Sequence, residues 1–452
     1  MVRAFALVPL LLGLFGLASG AWAQTERQVL VATVDGAIFP VVAEYVERVV
    51  SDAEAHNAVA LVIQLDTPGG LDTSMRQINQ SILASRVPVI VYVAPSGARA
   101  GSAGVYITYA SHLAAMAPGT NIGSATPVQI GEGGEAEVSP EMRAKINNDA
   151  VAYIRGLAAH RGRNEQWAEQ AVREAANVTA QQALELRIIE IVATDLDDLL
   201  RQANGRTVQT AAGPVTLATQ GAPVQPLDMN AIEALLKVIT DPTIAYLLVS
   251  LGSLGLFLEL SNPGSVLPGS VGGIFLLLGL YGLGTLPVNY AGALLIAFAF
   301  LLFVADVLSA SHGVLTVGGV VAFGLGSMLL VNAPDSAPFL AISLSAIVAV
   351  TLSFAAFFIF VASSVARTYR RKPVTGRDGL IGSVGVARTA LGPRGMVFVG
   401  GELWSAVSSV PAAKGDALEV VGLEGLTLSV RPATRTSEAP ASDVREGPSK
   451  PG

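Results

Sequence analysis

From Thr243 to Val361 the chain is almost continuously apolar. It divides at turn-forming and charged points into five spans, 243–260, 266–284, 288–306, 313–332 and 338–362. Each is near the length of about 20 residues that crosses a bilayer core. Gly and Pro at the edges leave four as the alternative count, and charge placement decides between them. The strongest basic cluster, Arg367, Arg370, Arg371 and Lys372, follows the last span and belongs on the cytoplasmic side. The first residues, 1–23, read as a secretory signal: Arg3, then an apolar stretch from Phe5 to Leu17, then Ala21-Trp22-Ala23 before Gln24. An exported first domain and a cytoplasmic tail require an odd number of crossings, so five is the preferred count. The expected location is the inner membrane of a bacterium-like cell.

Composition agrees with a membrane portion: 51% of residues are apolar and mean hydropathy is +0.54. A net charge of -7 and a pI near 5.3 argue against nucleic acid as the main partner. With no cysteine, disulfides, thiol nucleophiles and thiolate metal sites are excluded. The histidines (His56, His112, His160, His312) lack metal-ligand spacing, and no Gly-Lys pair offers a Walker A loop. Neither a metal nor a cofactor is expected.

Residues 24–205 alternate strand and helix patterns. Val29–Asp35, Ala60–Leu65 and Val87–Ala94 read as strands, with helices at Val41–Glu54 and Thr73–Ser85 between them. That order implies parallel pairing with right-handed crossovers. Leu113–Met116 suggests a further short strand. Pro140–Ala159 reads as a helix with Ser139 as N-cap and Pro140 at its first position. Residues 206–240 look like a connector, rich in Pro, Gly, Gln and Thr at their start. The membrane region is assigned to 241–364, a small β domain to 376–432, and a disordered tail to 433–452.

Chemistry is suggested by a serine among small residues, Gly101-Ser102-Ala103-Gly104, followed by Lys145. Between Gln24 and Leu236 the chain carries thirteen arginines and this one lysine. A buried lysine loses its proton far more readily than an arginine and then acts as a base. A serine hydroxyl needs such a base. Ala144 and Ile146 beside Lys145 permit its partial burial. Asp66-Thr67-Pro68-Gly69-Gly70 follows the second strand directly. There the Gly69 and Gly70 amides are candidates to bind an oxyanion, with that of Ala103. Read alone, the glycine pair is equally a tight turn, Gly101–Gly104 equally helix packing, and Lys145 equally a solvated helix lysine. Ser96 and Ser124 are rival serines.

In this order the elements resemble the membrane-bound serine proteases of the ClpP class in the NfeD family, the long form encoded beside stomatin-like proteins. The resemblance rests on the signal, the Asp66–Gly70 turn, the Ala100–Gly104 segment, Asn121-Ile122-Gly123-Ser124-Ala125, the multi-span block and the small C-terminal barrel. It implies a ClpP/crotonase-like α/β fold with Ser102 as nucleophile and Lys145 as general base. Gly69, Gly70 and Ala103 would then form the oxyanion hole. It also implies apolar segments of stomatin/prohibitin-like membrane proteins as substrates, and a homo-oligomer. His112 is the candidate for a histidine variant of the dyad. Five short runs within 376–432 fit an OB-type barrel, with Trp404 at the position of the family's tryptophan. A protein partner suits it better than nucleic acid, since Phe398 and Trp404 are nearly all its stacking aromatics. Two alternatives stay open: a non-catalytic scaffold for stomatin-like proteins, and a crotonase-type enzyme on acyl thioesters, which an exported domain disfavours.

Overall fold

The computed structural model describes residues 27–433, apart from 129, 132–133, 136–138, 263, 265, 287, 310–312, 332–337 and 370–376. The signal segment, most of the basic cluster and the tail after 433 therefore lie outside the described residues. The first domain opens with β1 (Val29–Asp35), α1 (Pro40–Ala55), β2 (Ala60–Asp66), α2 (Asp72–Ala84) and β3 (Val89–Val93). Next come β4 (Arg99–Gly101), α3 (Ala103–Ala110), β5 (Leu113–Met116), β6 (Asn121–Gly123) and the two-residue strands β7 (Ile130–Gly131) and β8 (Gly134–Glu135). The remainder is α4 (Pro140–Arg161), α5 (Glu165–Arg173), β9 (Asn177–Thr179), α6 (Ala180–Glu185), β10 (Ile191–Val192) and α7 (Leu196–Ala203). A hairpin, β11 (Thr207–Thr210) with β12 (Gly213–Thr216), leads to β13 (Val224–Pro226).

Six strands form one parallel sheet in the order β10-β5-β3-β2-β1-β13. Alternate residues face opposite sides of a strand. Leu61, Ile63 and Leu65 of β2 enter one apolar cluster with α1, α2 and α3, while Ala60 and Val62 enter a second with α7. Burial on both faces explains why the strands read as continuous apolar runs rather than alternating ones. A second sheet, β4-β6-β9, stands at the carboxyl end of β2, joined to it by the Thr67–Ala100 bridge.

The expected connector is instead integrated into this domain. β13 extends the main sheet by pairing with β1, and the buried Tyr45 hydroxyl donates to the Leu227 carbonyl at 2.6 Å. Then follows α8 (Ala231–Ile239), capped by Asn230 and Glu233 in a reciprocal box. Glu233 also receives both arms of Arg48 from α1, at 2.6 and 2.7 Å. The Arg48 guanidinium holds its carboxyl below the usual carboxylate range. Glu233→Ala is expected to cost about 1–3 kcal/mol, read as a lower thermal midpoint of the detergent-solubilised chain. An unchanged midpoint would remove this role from Glu233. For a depressed carboxyl the contribution is present above the ordinary carboxylate range and lost as pH falls through the lowered value.

Five apolar helices follow: α9 (Pro242–Ser261), α10 (Leu267–Gly284), α11 (Tyr290–Leu308), α12 (Val314–Leu330) and α13 (Leu344–Tyr369). Four are long and apolar enough to cross a membrane, the last over Leu344–Val361, and α12 is apolar but has 17 residues. Helices α9 and α10 pack closely, as do α11 and α12. Small residues permit this approach: a Cβ on Gly272 would stand 2.8 Å from the Gly252 carbonyl oxygen and 2.9 Å from the Gly255 Cα. Phenylalanines Phe303, Phe323, Phe354 and Phe358 fill the centre between α11, α12 and α13.

The C-terminal unit holds a closed five-stranded barrel. Its strands are β14 (Val384–Ala387), β15 (Arg394–Val399), β16 (Glu402–Ser408), β17 (Ala417–Glu424) and β18 (Thr427–Pro432). They run in the order β14-β15-β16-β18-β17, and β17 returns to β14. Val397, Ala406, Leu418, Val420 and Leu428 fill the interior, with Trp404 packed against them.

Candidate active site

Ser102 sits between β4 and α3 with φ 49° and ψ −111°. A positive φ is uncommon and strained for a side chain with a Cβ, and such strain persists only where the surroundings over-determine it. Three contacts do so here. The Ser102 N–H donates to the Gly123 carbonyl at 3.1 Å, and its carbonyl accepts from Val105 N–H at 3.0 Å, which starts α3. On the third side lies the glycine turn. Gly69 has φ +130°, and a Cβ there would come 2.8 Å from the Ser102 Cβ and 3.2 Å from its Oγ.

The turn's amides divide between internal and open positions. Thr67 Oγ1 accepts from Gly69 N–H at 3.1 Å. Gly69 is therefore not a free oxyanion donor, and its expected place in that set is corrected. The physical cause is the Thr67 hydroxyl two residues earlier, which closes the turn on itself. The N–H groups of Gly70 and Ala103 make no hydrogen bond among the described residues. That of Ala103 belongs to the first turn of α3, where amides lack intrahelical partners.

Gly70, Ser102, Ala103 and Lys145 line one cavity of about 410 Å³. Lys145 lies on α4, whose N-terminus is built as its residues suggest: Ser139 Oγ accepts from Met142 N–H at 3.2 Å, and Pro140 follows. The partial burial that its neighbours permit is not found for Lys145. Lys145 and Ala144 are exposed and only Ile146 is half-buried. The first turns of α4 rest on the open rim of the cavity, and α4 enters the core only from Ala150 onward. Lys145 makes no hydrogen bond or ion pair among the described residues.

Several lining residues were not singled out from the sequence. Arg76 of α2 donates to Asp72 at 2.8 Å and to Asp149 of α4 at 2.7 Å, with its guanidinium 4.4 Å from the Tyr153 ring centre. Asp149 lies one helical turn beyond Lys145, so this bridge ties the lysine-bearing helix to α2. The Asp72–Arg76 spacing of four was a visible helix-face signal, whereas the reach to Asp149 was not. Tyr106 closes the floor, its hydroxyl donating to the Ala125 carbonyl at 3.1 Å, and burial pushes that phenol up. Met75, Met142, Ile146 and Phe339 add apolar surface.

The rival residues stand elsewhere. Ser96 donates to the Pro118 carbonyl at 2.7 Å, and Ser124 accepts from the Asn177 side chain at 3.2 Å. Neither lines the cavity. His112 is buried and its Nδ1 accepts from Val89 N–H at 3.1 Å. Burial, then the neighbouring arginines Arg161 and Arg163, push it down to about 3. It too lies outside the cavity lining, so it serves the β3–β5 packing. Among the described residues no group of acidic and histidine side chains has the arrangement of a metal site.

An α/β domain carrying a strained serine at a helix start, set before a multi-span apolar region and a small barrel, defines a multi-domain integral membrane protein with a candidate hydrolytic cleft. Three family models match in register with these parts. They are the NfeD1b N-terminal domain over residues 28–211, the NfeD integral membrane domain over 243–364, and the NfeD-like C-terminal, partner-binding domain over 377–432. The chain belongs to the NfeD family. It is 38% identical to the membrane-bound protease PH1510 of Pyrococcus horikoshii, covering 89% of this chain and 92% of that one. Membrane protein NfeD1b of Bacillus subtilis is 27% identical, covering 95% and 98%. Among solved structures, the 1510-N membrane-bound stomatin-specific protease of P. horikoshii, as a lysine-to-alanine mutant with a substrate peptide, is 38% identical. It covers 48% of this chain and 99% of that one, with a TM-score of 0.45.

Proposed function

We propose that this chain is an ATP-independent serine endopeptidase of the membrane, with Ser102 as nucleophile and Lys145 as general base. One observation carries the reading: a strained serine, an exposed lysine and the open amides of Gly70 and Ala103 share one cavity. The 38% identity to a membrane-bound protease over nearly the whole chain supports the same class.

In this mechanism the Ser102 Oγ attacks the peptide carbonyl carbon while its proton passes to the neutral Lys145 amine. The carbonyl oxygen becomes an oxyanion held by the Gly70 and Ala103 amides. Collapse breaks the C–N bond, the leaving amine takes the proton from Lys145, and an acyl-enzyme remains. Water, deprotonated by Lys145, then releases the acid and regenerates Ser102. Lys145 is exposed where it lines the cavity, and a peptide bound there would cover it and exclude water from the reacting atoms.

Apolar segments of stomatin/prohibitin-like membrane proteins are the proposed substrates, consistent with the apolar lining and with the stomatin specificity stated for the P. horikoshii protease. The α/β domain is proposed to lie outside the cytoplasm and the barrel inside it, where it binds a protein partner, with the chain acting as a homo-oligomer. A scaffold reading draws on the exposure of Lys145 and the partner-binding description of the C-terminal domain. Incubation of the purified full chain with apolar peptides, followed by mass spectrometry, separates the two. Cleavage with an acyl or phosphonate adduct on Ser102 supports the protease. No cleavage and no adduct, with tight binding of a stomatin-like protein, would overturn it.

Gly69→Ala tests the turn. The added Cβ meets the Ser102 side chain and must adopt φ +130°, so cleavage is expected to fall about 10²-fold with the circular dichroism spectrum unchanged. Activity within about twofold of wild type would show that the turn does not position Ser102.

A further inference from the structure

The cleft has one wall that the α/β domain does not supply. Phe339 belongs to the 3-10 turn Pro338–Leu340, between α12 and α13, and it lines the cavity with Ser102 and Lys145. Its ring is half-buried and packs against the apolar cluster of the membrane region. The neighbouring Leu340 and Ile342 are buried in that cluster. One residue further on, Ser343 N–H donates to Thr243 Oγ1 at 3.1 Å, tying this stretch to the start of α9. Phe339 is thus held from below by packed side chains on the chain that follows it.

The same cluster takes in Ala37, Phe39 and Leu71 from the α/β domain. These flank the glycine turn. Ile38 N–H donates to the Gly69 carbonyl at 2.9 Å, and Leu71 N–H donates to the Ile38 carbonyl at 3.0 Å. A Cβ on Gly70 would lie 2.4 Å from the Ile38 carbonyl oxygen, so the two segments are in direct contact. The membrane region therefore backs the turn bearing the Gly70 amide and places a side chain in the cavity that Ser102 also lines.

We infer that the membrane region completes the substrate site, with Phe339 as a specificity-determining side chain that packs an apolar residue of the bound peptide next to the scissile bond. This rests on the protease reading above. An aromatic face held in place gains apolar contact with a large side chain and little with a small one, and such differences in a pocket change kcat/KM on the order of tenfold or more. Phe339 forms no part of the Ser102, Lys145 and amide machinery, so its loss alters selection between peptides rather than the bond-breaking step.

The test uses the full chain in nanodiscs and two fluorogenic peptides that differ only in leucine or alanine beside the scissile bond. Wild type is expected to favour the leucine peptide. Phe339→Ala is expected to lower that preference on the order of tenfold, mostly through KM, with the alanine peptide changed by less than about twofold. An unchanged preference in Phe339→Ala, while wild type cleaves and Ser102→Ala does not, overturns the inference and leaves the protease reading standing. Cleavage by Ser102→Ala equal to wild type overturns the protease reading itself. Should Phe339→Ala lose both peptides, Phe339→Leu decides. A restored leucine preference supports the inference, and equal loss of both peptides overturns it.

Discussion

Ser102→Ala is expected to lower kcat/KM for apolar peptides by at least about 10³-fold, to the level of whatever the amides and binding surface contribute alone. The magnitude follows from what the side chain does in the proposed mechanism. Without the Oγ there is no acyl-enzyme, and water must attack a carbonyl that no group has activated. The substitution also removes only one oxygen at a half-buried position, and alanine keeps the Cβ that Gly69 packs against. The fold should therefore survive. Ser124→Ala and Ser96→Ala are the matched controls, since their hydroxyls hydrogen-bond away from the cavity. Each is expected to stay within about twofold of wild type. Cleavage by Ser102→Ala at the wild-type rate, measured by product formation in nanodiscs, would end the case for this nucleophile.

Lys145→Ala is expected to reduce the rate by roughly 10²–10⁴-fold, the usual range for a positioned proton acceptor. Its second arm is more diagnostic. Lys145→Arg should be as inactive as the alanine variant, because a guanidinium stays protonated and cannot accept the Ser102 proton. A purely electrostatic role, such as holding a substrate carboxylate, would instead be rescued by arginine. Since Lys145 is exposed and makes no ion pair or hydrogen bond among the described residues, neither substitution should disturb packing. Wild-type thermal midpoints for both variants would confirm that the loss is chemical. Full activity in Lys145→Ala would remove the dyad.

Much of the α/β domain was legible because its signals are local. Strands buried on both faces appear as apolar runs, and Ser139-Pro140 marks a helix start by capping chemistry alone. The apolar spans follow from length and hydropathy, and among the described residues four helices are long and apolar enough to cross a membrane, while the fifth apolar helix, α12, has 17 residues. The parts that escaped are non-local. β13 is three residues containing a proline, with no periodicity, and is a strand only because β1 offers it an edge. Phe339 stands in a short turn between apolar helices, and no pattern in its neighbourhood relates it to Ser102. Gly69 is a nearer miss: the Thr67 hydroxyl that takes its amide lies two residues away, a spacing at which threonine often closes a turn.

Ser102 and Lys145 mark the division most clearly. The small residues around the serine, the lone lysine among arginines and the glycine pair are properties of the linear chain. They limit the chemistry to a few side chains. Whether those side chains meet depends on the Thr67–Ala100 bridge, which joins the end of β2 to β4 of the second sheet. It also depends on the Arg76–Asp149 bridge, which ties the lysine-bearing helix to α2. Burial was likewise a tertiary matter. Lys145 has the composition of a residue that could be sheltered, but its helix lies on the rim of the cavity there, and water reaches it. Local sequence governs backbone preference and chemical capability. Distance, exposure and the wall contributed by Phe339 arise only when segments far apart in the chain pack against one another.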